Sequence, residues 1–120
     1  MNEAEWTKLA RDHFVGRTIV SVRWMTAEEA EKNGYHRRPL VLYFEDGNWM
    51  CAQMDDEGND AGAMAATGKI ETWPVLQEGF ETGDMAPYIK AHNKALMRNK
   101  VIDPGVVGKG TQSSSGISPK

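Results

Sequence analysis

Asp55, Asp56, Glu57 and Asp60 place four carboxylates within six residues, with Asn59 among them and glycines at 58 and 62. Hard divalent cations bind through several oxygens, so residues of these types at this spacing can hold a metal and serve a small metal-dependent hydrolase, with His36 as its acid or base. The spacing does not fit the known calcium loop, which requires glycine at its sixth position. Counted from Asp55 that position is Asp60, and counted from Asp56 it is Ala61. A polar turn, in which Asp and Asn side chains bond their own backbone, accounts for the composition more simply. The four acids therefore stand as weak metal candidates and, with Asn59, as a candidate binding loop.

His36, Arg37 and Arg38 form a second candidate segment. Adjacent guanidiniums can grip a phosphate or carboxylate through paired N–H groups, and the plainer alternative is a solvated surface loop. Other chemical signals are weaker. The stretch from Gly62 to Lys69 superficially suggests a phosphate loop, but Ala63 stands where the first glycine is needed and Ile70 where Ser or Thr must meet magnesium. Cys51 lies in an apolar strand-like run, where a cysteine acts as a small buried hydrophobe. All serines but Ser21 gather near the C-terminus and Thr67 has no assigned neighbour, so no nucleophile–base pair can be named. His13 and His92 fall on apolar helical stripes, where a histidine is usually a hydrogen-bonded boundary residue. No cofactor motif is legible, and none is expected.

The elements that must position these groups follow from periodicity and punctuation. Residues 3–14 read as an amphipathic helix capped by Asn2, with Glu5 reaching back, an apolar stripe of Trp6, Leu9, Ala10 and His13, and Gly16 as its stop. Residues 17–25 switch to period two, with Val20, Val22 and Trp24 on one face and Ile19, Ser21 and Arg23 on the other. Thr26 and Glu29 open a short helix that Asn33-Gly34 closes. Pro39 holds Arg38 extended.

A hairpin follows. A two-residue type I′ turn at Asp46-Gly47 would pair Phe44 with Trp49, Tyr43 with Met50 and Leu42 with Cys51. That register puts Leu40, Leu42, Phe44, Trp49 and Cys51 on one face and Val41, Tyr43, Met50, Ala52 and Met54 on the other. It also opposes Leu40 to Gln53, which brings the basic and acidic segments to the same end of the hairpin, where they neutralise each other or line a cleft. Residues 55–68 read as a loop, 69–76 as a further strand, and 85–100 as a helix capped by Asp84, with Met85, Ile89, His92 and Leu96 as its stripe.

The run Arg38-Pro39-Leu40-Val41-Leu42, then Asp46-Gly47, then Asp55-Asp56-Glu57-Gly58-Asn59-Asp60-Ala61-Gly62-Ala63, resembles a group of small uncharacterised bacterial and phage proteins. The resemblance covers about residues 16–76, roughly half the chain, and implies no activity.

The bulk properties bound the rest. The chain has 120 residues, which gives room for one core, expected over 1–103, with a flexible Gly/Ser/Pro tail over 104–120. A net charge of −3 argues against a nucleic-acid scaffold, and a single cysteine excludes an internal disulfide framework. No run approaches the ~20 apolar residues of a membrane span, so the cytoplasm is the expected location. The expected fold is α+β, an antiparallel sheet of three or four strands with N- and C-terminal helices. The leading functional expectation is a non-enzymatic binding protein, an accessory or inhibitory factor of a phage or mobile element. It would contact a protein or small anionic ligand through residues 35–38 and 55–62. Asp56→Ala with Asp60→Ala is expected to leave the fold intact and remove the biological effect. The alternatives are the metal-dependent hydrolase and a self-assembling structural protein, a homo-oligomer through the apolar hairpin.

Overall fold

The computed structural model describes residues 1–100. The tail assigned to 104–120 lies outside the described residues. The fold is α+β, as the periodicity indicates. Helix α1 (Glu3–Phe14) is closed at its start by a reciprocal box. The Asn2 side chain accepts from the Glu5 amide at 2.9 Å, and the Glu5 carboxylate accepts from the Asn2 amide at 3.0 Å. It leads into strand β1 (Ile19–Trp24), helix α2 (Ala27–Lys32), and strands β2 (Leu40–Phe44) and β3 (Trp49–Cys51). These strands form a three-stranded antiparallel sheet in the order β1-β2-β3. Two short strands, β4 (Met64–Ala65) and β5 (Thr72–Trp73), pair in a second sheet, and helix α3 (Ala86–Asn99) packs on β1. The strand expected over 69–76 thus contracts to two residues, although Leu76 also exchanges backbone hydrogen bonds with Arg38. Asp84 serves the start of α3 by accepting from the Ala86 amide, while Met85 occupies the cap position.

The hairpin register differs from the expected one by a single residue. Val41 faces Cys51, Leu42 faces Met50 and Tyr43 faces Trp49. The Phe44 amide donates to the Asn48 carbonyl and the Gly47 amide to the Phe44 carbonyl, so the loop is Glu45-Asp46-Gly47 and has three residues. This loop ends on a residue with positive φ, and Gly47 has φ +89°. The extra residue turns β3 over relative to β2, because side chains alternate between faces with period two. Trp49 and Cys51 therefore join Val41 and Tyr43 on the core side. Val22, Leu42 and Met50 form a row on the opposite face, where Val22 is half exposed.

Strand β1 also departs from a simple alternation. Its register shifts between Ile19 and Ser21, a bulge that lets Val20 pack on the core together with the polar residues Ser21 and Arg23. The core is Met25, Ala30, Tyr35, Val41, Tyr43 and Ala61, with Trp49, Val75 and Leu96 packed around it. Arg17 staples the junction of α1 to the hairpin turn. Its guanidinium lies 4.1 Å from the Phe44 ring centre and 2.8 Å from Asp46 Oδ1.

Gly47 is held by space as well as by φ. A Cβ there would stand 3.0 Å from the Lys100 carbonyl oxygen, at the end of α3. Gly47→Ala is expected to destabilise by about 1–2 kcal/mol from the left-handed backbone alone. Gly47→Val, with a stiffer branched side chain against that carbonyl, should cost more. Thermal unfolding of both variants checks this, and an unchanged melting temperature would refute the turn geometry.

Candidate functional site

The acidic loop is closed at its base by backbone pairing. Gln53 bridges Ala61, the Met54 amide donates to the Asp60 carbonyl, and the Gly62 amide donates to the Ala52 carbonyl. Gly62 is required here because a Cβ would lie 2.9 Å from the Gln53 carbonyl group. Within the loop, Asp55 Oδ1 accepts from the amides of Glu57 at 3.0 Å and Gly58 at 3.1 Å, and its Oδ2 accepts from the Asn59 side chain. Asn59 also donates to Glu57. This is the self-bonded polar turn foreseen for Asp and Asn in such a run. Desolvation opposes the charge on Asp55, but the bonds from Asn59 and the loop amides outweigh it and hold the carboxyl below its ordinary range.

Asp60 joins the two candidate segments. Its Oδ1 accepts from the amides of His36 at 2.8 Å, Arg37 at 3.2 Å and Ala61 at 2.8 Å, and its Oδ2 accepts from Arg37 Nε at 3.3 Å. Partial desolvation works against its ionised form. The three amides and the Arg37 charge prevail, and its pKa lies below the usual carboxylate range. Arg37 further donates to the Ala61 carbonyl, and Arg38 Nε to the Met25 carbonyl at 2.6 Å. The basic and acidic segments meet, as their shared end of the hairpin implied, and they do so at Asp60 alone.

The eight candidate residues therefore divide. Arg37, Arg38, Asp55 and Asp60 brace the backbone. His36, Asp56, Glu57 and Asn59 stand exposed on the braced loop. Among the described residues, no group of three or more His, Cys, Asp or Glu side chains is arranged to hold a metal ion. Among the same residues, no helix is long and apolar enough to cross a membrane.

A second cluster lies under α3, and the sequence only half disclosed it. His92 is 5% exposed and its ring meets Tyr43 edge-on, with centroids 4.7 Å apart. Ser21 Oγ lies 2.8 Å from His92 Nδ1, a spacing that invites comparison with a nucleophile and its base. The other ring nitrogen decides the matter. Arg23 Nε donates to His92 Nε2 at 3.0 Å, and a guanidinium has no lone pair to accept with. Nε2 must then be the unprotonated nitrogen. Nδ1 carries the hydrogen, donates it to Ser21 and cannot take a proton from it. Arg23 in turn grips Glu29 with two bonds of 2.6 Å, and the same Glu29 closes the cap of α2 on the Thr26 amide. The constellation is a clamp. Ser21 and Arg23 share one face of a strand in the sequence pattern, but polar residues on a strand face read as solvent-facing when their partner, here His92, is far along the chain.

No family model, curated protein or solved structure matches the chain.

Two expectations follow. Asp56 and Asp60 part company. Asp60→Ala strands three backbone amides and should cost about 2–3 kcal/mol. Asp60→Asn, which keeps one acceptor oxygen, should cost less, and Asp56→Ala should leave the melting temperature unchanged. Equal melting temperatures for all three variants would contradict the anchor role.

Burial, then the Arg23 charge, holds the His92 pKa below its ordinary 6.5, against the opposing pull of Glu29. The folded state therefore binds a proton less readily than the unfolded state. The associated stability is fully present above 6.5 and is lost as pH falls below it. Melting temperature should decline on this acid side before the carboxylates titrate, near pH 4. His92→Asn should be less stable at neutral pH and show a flatter profile in that window. An identical profile would contradict a buried neutral imidazole.

Proposed function

We propose that this protein is a non-enzymatic binding protein that meets its partner through the loop 55–62 and the adjoining segment 35–38. One observation carries the reading. The groups best suited to chemistry, Asp55, Asp60, Arg37 and Arg38, are committed to backbone bonds that fix the loop, and the groups left exposed sit on that fixed frame. A surface organised before contact loses little freedom on binding, which favours recognition. The exposed set is Asp56, Glu57 and Asn59 with His36 beside them, a polar and mainly acidic epitope that suits a basic or amide-rich protein surface. In this reading the protein serves as an accessory or inhibitory factor of a phage or mobile element.

The test uses variants that spare the frame. Asp56→Lys with Glu57→Lys should keep the wild-type melting temperature and lose both the partner recovered by cross-linking from the source cells and the cellular phenotype of expression. Retention of partner and phenotype at wild-type strength would remove this loop from consideration. A stoichiometric metal seen by native mass spectrometry, and lost in the same variant, would favour a metal-dependent role.

A further inference from the structure

Helix α3 rests on the sheet through a narrow attachment. His92 is its one buried residue among those described, and Leu96, one turn further on, packs half-buried at the edge of the core. The connection that delivers the helix is exposed. Among the described residues, Leu76 makes the last long-range backbone pairing, with Arg38, and residues 77–84 then lie open to solvent throughout. Gly79 and Gly83 in that stretch take φ of +86° and +70°, and a Cβ on either would meet nothing within 4 Å. A segment with few buried contacts on an exposed tether belongs to the part of a structure that opens most easily.

The seat of His92 admits the neutral ring alone. Arg23 Nε donates to Nε2 at 3.0 Å, and Nδ1 spends its hydrogen on Ser21 Oγ at 2.8 Å. A proton added at Nε2 would stand against the Arg23 N–H and put a second positive charge beside the guanidinium. The remaining titratable groups around the ring do not provide for it. Tyr43 of β2 meets the ring edge-on, and Tyr88 lies one turn earlier on α3 itself. Phenols ionise near pH ~10, so both are neutral on the acid side. Glu29 of α2 carries the one charge that would favour an imidazolium, but Arg23 engages both its oxygens and the Thr26 amide one of them.

We propose that α3 is an acid-released helix, in which protonation of His92 and departure of α3 from β1 are a single event. The sheet and α2 stay in place. Arg23 keeps Glu29 and its position on the core side of β1, and the segment 77–84 lets the helix swing away without breaking the Leu76–Arg38 pairing. Release uncovers the Tyr43 ring and the Ser21 hydroxyl on the face that α3 had covered. The device is separate from the loop 55–62 and does not depend on its role.

Hydrogen exchange of the full chain, read by mass spectrometry and corrected for the intrinsic effect of pH on exchange, tests the proposal. If the ring takes up its proton only after release, at its ordinary pKa of 6.5, protection of α3 should fall about tenfold between about pH 7.5 and about pH 5.5. Protection of β1, β2 and β3 should not change with it. In His92→Gln the side-chain amide can accept from Arg23 and donate to Ser21 but does not titrate, so the fall in α3 should disappear. The wild-type comparison stands by itself if this variant does not fold. The proposal is overturned by α3 protection that is the same at both pH values, by helix and sheet losing protection together, or by a folded His92→Gln protein that keeps the wild-type fall.

Discussion

The structure depends on the part-buried guanidinium of Arg23. It lies on the core side of an edge strand, where an unpaired cation would be costly, and three elements converge to satisfy it. Glu29 from α2 takes two of its N–H groups, His92 from α3 takes the Nε hydrogen, and the Tyr43 ring of β2 lies beneath it, 5.8 Å away. Removing one member of this part-buried pair leaves the other charge without its closest partner. The arrangement also fixes direction. With α2 held to β1 by Glu29 and α3 by His92, the chain leaving α2 must pass through Asn33 and Tyr35 to reach β2. This path carries residues 36–38 across the base of the acidic loop.

The loop inherits its rigidity from that path. The Asp60 carboxylate receives the amides of residues 36 and 37 because the segment after α2 bends there, and Arg38 is anchored twice, by its backbone to Leu76 and by its side chain to Met25. Tyr35 closes the same corner from the inside, donating to the Gln53 side chain at 2.7 Å. Burial, reinforced by neighbouring Cys51 and Asp60, pushes its phenol far above the ordinary range and keeps it a neutral donor. Opposite charges here are used for architecture. The surface offered to solvent is what remains once the architecture is satisfied.

Much of this was legible in the sequence, and the failures have physical causes. Local signals held. Both capping boxes form, at Asn2/Glu5 and Thr26/Glu29, and the Asp and Asn residues of the loop bond their own backbone. Each involves groups within a few residues of one another. The hairpin turn was placed correctly and its register was not, because Asp46-Gly47 serves a two-residue loop and a three-residue loop equally well, and the choice turned on Asn48. The faces of β1 were misread for a different reason. Strict alternation groups Val20 with Val22, but a bulge between Ile19 and Ser21 brings Val20 to the core side with Ser21 and Arg23 and leaves Val22 on the other face. The partner of Ser21 is 71 residues away, and the partners of Asp60 are 23 and 24 away, separations at which no local pattern carries information.

The clamp under α3 is tested most directly by the proton on His92. Nitrogen chemical shifts of the ring, recorded by NMR at neutral pH, distinguish the two neutral tautomers. The account predicts hydrogen on Nδ1 and a free lone pair on Nε2, with the shifts perturbed in Arg23→Met. Hydrogen on Nε2 would contradict it, since Nδ1 would then accept from the Ser21 hydroxyl, Arg23 could not be the donor that organises the fold, and the pair would have the geometry of a nucleophile and its base.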